Sequence, residues 1–266
     1  MRVRRTVVVL LLTTISLLVP QSARAIVYGE PDGGDHPNVG SLVGRATNPD
    51  TGATEFRQLC TGTLIDEDVV LTASHCLVDL EPYGIQQIYF TLAEVIDADQ
   101  DGLVDADVPL MTVTPVPHPS YNHRQGNPFD IGVLLLDTPV TGVEPAKLPA
   151  PHLLDSPGIR NETFVAVGYG AVRESKQGAF DALGFGWRRE QAEQQLVALT
   201  PAWATFSMNV STGNGGTCYG DSGGPHFLGD VVAAVTITGD SPCKATDKTY
   251  RVDTSWSLRF LAQYLD

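Results

Sequence analysis

The chain has 266 residues, with 31 acidic against 17 basic side chains and a formal net charge of −14. At 42% hydrophobic and 18% charged, it holds enough apolar material for a real core and does not have the make-up of a disordered chain. Its acidity, with no basic run after residue 25, argues against a nucleic-acid partner.

The first 25 residues stand apart. Arg2, Arg4 and Arg5 form a basic start, residues 6–20 are mostly apolar, and Ala23-Arg24-Ala25 has the small-x-small pattern of a signal-peptidase site. The apolar run is short for a membrane span and ends at Pro20. Residues 1–25 therefore read as a cleaved signal peptide, and the rest as a secreted, extracellular protein with no membrane attachment after cleavage. All four cysteines, Cys60, Cys76, Cys218 and Cys243, follow that segment. An even count in an exported chain implies two disulfides. Three pairings exist, and the local one, Cys60 with Cys76 and Cys218 with Cys243, is the simplest. Zinc is the alternative use, but no C-x-x-C pair is present.

Beyond the signal, Gly (26) and Pro (18) punctuate short runs rich in Val, Ile, Leu and Thr. Strands are predicted at 61–65, 69–72, 87–91, 110–116, 131–136, 163–167 and 231–237. Such spacing favours an antiparallel barrel or sandwich. Two segments read as helical, 191–196 and 254–264. The second carries Leu258, Leu261 and Leu265 on one side, with Asp253 or Thr254 available as N-cap.

Three short strings carry chemistry. Ser222 lies in Gly220-Asp221-Ser222-Gly223-Gly224-Pro225, where glycines permit a sharp turn and leave N–H groups open to a reacting carbonyl. A serine hydroxyl needs a base to become a nucleophile. Six histidines are available, and His75, in Ala73-Ser74-His75-Cys76, is set apart by its neighbour: a disulfide at Cys76 would pin its loop. Asp130 immediately precedes the apolar run Ile131-Gly132-Val133-Leu134-Leu135-Leu136, so it reads either as a solvated strand end or as a carboxylate held to orient an imidazole.

Together these strings resemble the chymotrypsin-like (trypsin-like) secreted serine peptidases. The order His75, Asp130, Ser222 matches that family, unlike the orders of subtilisins or α/β-hydrolases. Ile26-Val27-Tyr28-Gly29 resembles the family's mature N-terminus, His118-Pro119-Ser120-Tyr121-Asn122 the approach to the aspartate strand, and Val167-Gly168-Tyr169-Gly170 a turn opening the second half. The resemblance covers nearly all of residues 26–266. It implies an all-β fold of two antiparallel six-stranded barrels with a C-terminal helix, one barrel over 26–145 with His75 and Asp130, the other over 146–266 with Ser222 and the specificity pocket. It also implies a histidine-loop disulfide from Cys60 to Cys76 and a pocket disulfide from Cys218 to Cys243. The implied function is a serine endopeptidase acting through an acyl-enzyme on protein or peptide substrates, as a monomer with no required cofactor. Its oxyanion hole would be the N–H groups of Gly220 and Ser222, and Thr236 stands where a serine near the aspartate is usual.

The same resemblance pairs a new amine at Ile26 with Asp221. Since Ala25, not a basic residue, precedes Ile26, signal removal itself is expected to create the active N-terminus. For the pocket, the alignment names Gly216, Thr236, Thr238 and Lys248. Gly216 carries no carboxylate, so cleavage after Lys or Arg is not expected. Lys248 suggests either an acidic preference or, if it faces solvent, a small or medium apolar one. Finally, Asp97, Asp99, Asp101 and Asp105, with Gly102 between them, resemble the first part of an EF-hand loop whose twelfth position is Val108 rather than Glu. This stretch is expected to hold a structural calcium ion or else to be a solvated acidic turn.

Overall fold

A computed structural model of the protein describes residues 26–124, 127–173 and 183–265. The signal-peptide reading therefore falls outside the described residues. The first barrel comprises β2 (Val39–Thr47), β3 (Thr54–Asp66), β4 (Val69–Thr72), β5 (Ile85–Thr91), β6 (Met111–Pro117) and β7 (Gly132–Leu136). It closes in the order β2-β3-β4-β7-β6-β5, every pair antiparallel.

The second barrel uses β8 (Thr163–Gly168), β11 (Glu190–Leu199), β12 (Trp203–Ser207), β13 (Pro225–Leu228), β14 (Val231–Gly239) and β15 (Thr246–Arg251). These six run β11-β12-β15-β14-β13-β8, and β8 pairs back onto β11 to close the ring. The short β1 (Glu30–Pro31) adds to the β11 edge, and β9 (Ala171–Arg173) pairs with β10 (Leu183–Phe185). The chain is thus two closed six-stranded antiparallel barrels, as expected from the resemblance.

Residues 191–196 are not helical. They lie inside β11, where Ala192, Gln194 and Leu196 are buried while Glu193 and Gln195 are exposed. That is burial with a period of two, set by a barrel wall with one wet face. The helix expected over 254–264 is the shorter α1 (Ser255–Leu261), and Thr254 caps it by accepting from the Ser257 N–H at 3.3 Å. Among the described residues no helix is long and apolar enough to cross a membrane.

A buried polar clasp joins the two barrels. Arg189, just before β11, donates from Nε to Asp32 at 2.8 Å and from Nη1 to the carbonyls of Val39 at 3.0 Å and Leu92 at 3.3 Å. The Tyr169 hydroxyl, also buried, donates to the Ala93 carbonyl at 2.7 Å. Burial works to raise the Asp32 pKa, but hydrogen bonds from His36 and Arg189 outweigh it and hold the carboxyl down at about 2. An uncompensated buried charge is the costly alternative. Arg189→Met is therefore expected to lower stability by about 3–5 kcal/mol in calorimetry at pH 7. The folded pKa of Asp32 lies below its unfolded value of about 4, so its contribution is present above that value and lost as pH falls toward about 2. That acid-side loss should shrink in the variant.

Candidate active site

His75 sits on a one-turn 3-10 helix, Ser74–Cys76, between β4 and the loop that follows. Two constraints hold that turn. The Cys60–Cys76 disulfide ties it to β3. The buried Ser74 hydroxyl donates to the Ile131 carbonyl at 2.6 Å and accepts from the His118 N–H at 2.9 Å. Asp130, 1% exposed, closes the arrangement from the mouth of β7: Oδ1 accepts from the His75 backbone N–H and Oδ2 faces His75 Nδ1, each at 2.9 Å. With Nδ1 engaged, Nε2 is the ring nitrogen left for a substrate-side proton.

Ser222 is presented by a loop from the second barrel that is braced by the first. Its carbonyl accepts from the Thr61 N–H on β3 at 2.8 Å. The Gly220 carbonyl accepts from Gln58 Nε2 at 2.9 Å and Thr61 Oγ1 at 3.1 Å. Gly223 needs to be glycine twice over: its φ is +82°, and a Cβ there would lie 2.0 Å from Thr72 Oγ1. The adjacent Asp221 is fully buried and accepts from the Gly170 N–H at 2.7 Å and the Cys218 N–H at 2.8 Å. Burial pushes its pKa well up, against these two N–H donors. Among the described residues, the N–H groups of Gly220 and Ser222 make no hydrogen bond. His75 and Ser222 line one cleft of about 340 Å³, walled by Thr217, Tyr219, Thr236, Ile237 and Thr238, with no direct hydrogen bond between them.

The trypsin family model matches residues 33–259. The chain is 30% identical over 213 residues to trypsin of Saccharopolyspora erythraea, covering 77% of this chain and 82% of that one. It is 25% identical over 197 residues to kallikrein-8 of Homo sapiens (71% and 70% covered), and 27% identical over 221 residues to CLIP domain-containing serine protease B15 of Anopheles gambiae (77% and 58%). The chain belongs to the trypsin family. It is a serine-type endopeptidase, a hydrolase of peptide bonds.

In this trypsin-family member both disulfides follow the local pairing, Cys60–Cys76 and Cys218–Cys243. The pocket expectations need correction at two positions, Gly216 and Lys248. Gly216 does not line the cleft: it is buried, bridges to Val27, and packs so tightly that a Cβ would meet Met208 at 2.4 Å. Lys248 does not line it either. Its ammonium lies 4.4 Å from the centre of the Trp203 ring, a cation–π contact. Thr236 lines the cleft, but its hydroxyl bonds His226 Nε2 at 3.0 Å and is not paired with Asp130. Burial drives His226 down to about 3, so this imidazole is neutral.

Sequence reasoning also missed two buried acids. Asp247, behind the cleft wall, accepts from the Thr217 N–H at 3.1 Å and the Thr217 hydroxyl at 2.7 Å, and also from Gln194. Burial raises it to about 6. Glu190 accepts from the Ile26 backbone N–H at 3.2 Å. Ile26 is completely buried, and no hydrogen bond joins its nitrogen to Asp221 in this uncut chain.

In the acidic loop between β5 and β6, carboxylate oxygens of Asp97, Asp99 and Asp101 lie within 4.8 Å of one another. Asp97, 2% exposed, accepts from the N–H groups of Gln100 and Gly102, while Asp105 accepts from Ala98 N–H at 2.8 Å. Burial raises the Asp97 pKa. Three converging carboxylates of this kind fit a hard cation, which would relieve both their repulsion and the cost of burying Asp97.

Since Lys248 is engaged by Trp203 and does not line the cleft, Lys248→Ala is expected to leave the cleavage preference unchanged in a peptide-library profile. A shift away from acidic residues would restore the acidic-pocket alternative.

Proposed function

We propose that Ser222 is the nucleophile, His75 its general base and Asp130 the group that orients the imidazole. The single observation that carries this is the doubly anchored His75–Asp130 pair, buried on the Asp130 side and opening on the cleft that Ser222 lines. In this reading the Ser222 hydroxyl adds to the substrate carbonyl while His75 Nε2 takes its proton. Asp130 holds the Nδ1–H tautomer and stabilises the imidazolium. The developing oxyanion is met by the N–H groups of Gly220 and Ser222, each donor of this kind contributing about 3–4 kcal/mol. The amine leaves with the proton from His75, and water repeats the sequence on the acyl-enzyme.

The protein works, on this account, as a secreted monomer on protein or peptide substrates, with residues 26–145 supplying His75 and Asp130 and residues 146–266 supplying Ser222. Removal of residues 1–25 leaves Ile26 as the new N-terminus, whose ammonium turns toward Asp221. The cleft suits a small or medium uncharged side chain before the cut. Thr217, Thr236, Ile237 and Thr238 form its walls, Asp240 lines it, and Asp247 lies behind Thr217, so a substrate carboxylate would meet repulsion.

Ser222→Ala in the secreted protein is expected to reduce peptide turnover by about 10⁴-fold or more, and Asp130→Asn by about 10⁴-fold with little change in KM. Turnover that persists in Ser222→Ala would overturn the assignment.

We also propose that Asp97, Asp99, Asp101 and Asp105 bind one calcium ion with a structural role. At a hundred times its dissociation constant such an ion stabilises by about 2.7 kcal/mol. The melting temperature should therefore rise with calcium, fall with chelator, and stop responding in Asp99→Asn. A melting temperature indifferent to calcium would leave a solvated acidic turn.

A further inference from the structure

The segment after the proposed cleavage point is already docked in the uncut chain. Val27 exchanges backbone hydrogen bonds with Gly216, each at 2.9 Å, and the Gly29 N–H closes on the Ile26 carbonyl at 3.0 Å. Gly29 is so enclosed that a Cβ would lie 2.7 Å from the Gln191 carbonyl oxygen. Ile26 and Glu190 are both at 0% exposure, and the Ile26 nitrogen faces Glu190 Oε2 at 3.2 Å. Little travel is therefore needed after cleavage. What changes is the nitrogen, from a neutral amide with one proton to an ammonium with three.

The surroundings suit that change. In the barrel register Glu190 stands opposite Gly168, and a Cβ on Gly168 would lie 2.0 Å from Asp221 Oδ1. Glu190 and Asp221 thus approach the same spot from β11 and from the Ser222 loop, and each feels the other's charge. Asp247, on β15, adds a third buried carboxylate that acts on Asp221. Buried carboxylates in such proximity favour a cation between them.

We propose that Glu190 is a positioning residue which receives the Ile26 ammonium jointly with Asp221, and so fixes the loop that carries Ser222. This rests on the reading of Ile26 as the mature N-terminus. One proton of the ammonium keeps the Glu190 contact already present, and another turns to Asp221, whose carboxylate accepts from the N–H groups of Gly170 and Cys218. The activity then requires the protonated amine. Two carboxylates hold its pKa above the ordinary α-amino value of about 8, which sets the alkaline limb of kcat/KM.

The test compares the secreted protein with its Glu190→Gln and Glu190→Asp variants, by intact mass and by the pH profile of kcat/KM on a peptide substrate. The expected result is a mature chain beginning at Ile26 and an alkaline limb displaced downward by about one pH unit in Glu190→Gln. In Glu190→Asp, whose shorter carboxylate reaches less far, the displacement should be smaller. The acid limb should stay in place in both. A chain that begins at Ile26 with an alkaline limb unmoved in Glu190→Gln overturns the role of Glu190 alone. If Glu190→Gln does not fold, an unmoved limb in Glu190→Asp overturns it equally. A mature chain beginning elsewhere overturns the N-terminus reading and the role of Glu190 together.

Discussion

The cleft depends on one buried carboxylate, that of Asp221. It accepts the N–H groups of Gly170 and Cys218 and thereby ties the Ser222 loop to the turn after β8 and to the pocket disulfide. The space it occupies explains two glycines: a Cβ on Gly168 would fall 2.0 Å from Oδ1, and one on Gly170 would fall 2.7 Å from Cγ. Burial disfavours the charged form of Asp221, so its electrostatic partner decides how firmly the loop is held. On the proposed reading, the chemistry at Ser222 and the state of the Ile26 nitrogen therefore belong to one physical problem.

A second constraint is that the groups proposed as catalytic come from different barrels. His75 and Asp130 are fixed within the first by the Cys60–Cys76 disulfide and the Ser74 hydroxyl. Ser222 belongs to the second, yet its own carbonyl and that of Gly220 are tied to β3 of the first. The Arg189, Asp32 and Tyr169 clasp adds further hydrogen bonds between the barrels, and the Tyr169 N–H also donates to the Thr61 hydroxyl at 3.3 Å. The relative placement of His75 and Ser222 is thus held by buried hydrogen bonds, which a small displacement would break at the cost of unpaired polar groups.

How much of this was legible in sequence follows the range of the interactions. Ser222 and His75 each carry a local string, glycines about one and a cysteine beside the other, and Asp130 announces itself at the edge of an apolar run. The strand β2 carries no such sign: it is buried on both faces along most of its length, so no alternation appears. Residues 191–196, rich in Gln, Glu and Ala, have helix-forming composition that the barrel overrides. Glu190 was silent because its partner Ile26 is 164 positions away. Lys248 was misplaced because a position counted along the chain does not show which neighbour a side chain takes, here the Trp203 ring across the sheet.

The most direct measurement is the reaction of the secreted protein with an organophosphonyl fluoride, with the adduct located by peptide mass mapping. Serine phosphonylation needs a hydroxyl activated by a neighbouring base. The account predicts one adduct, on Ser222, whose formation is abolished in His75→Ala. An adduct on another residue, or labelling of Ser222 at an undiminished rate in His75→Ala, would contradict it.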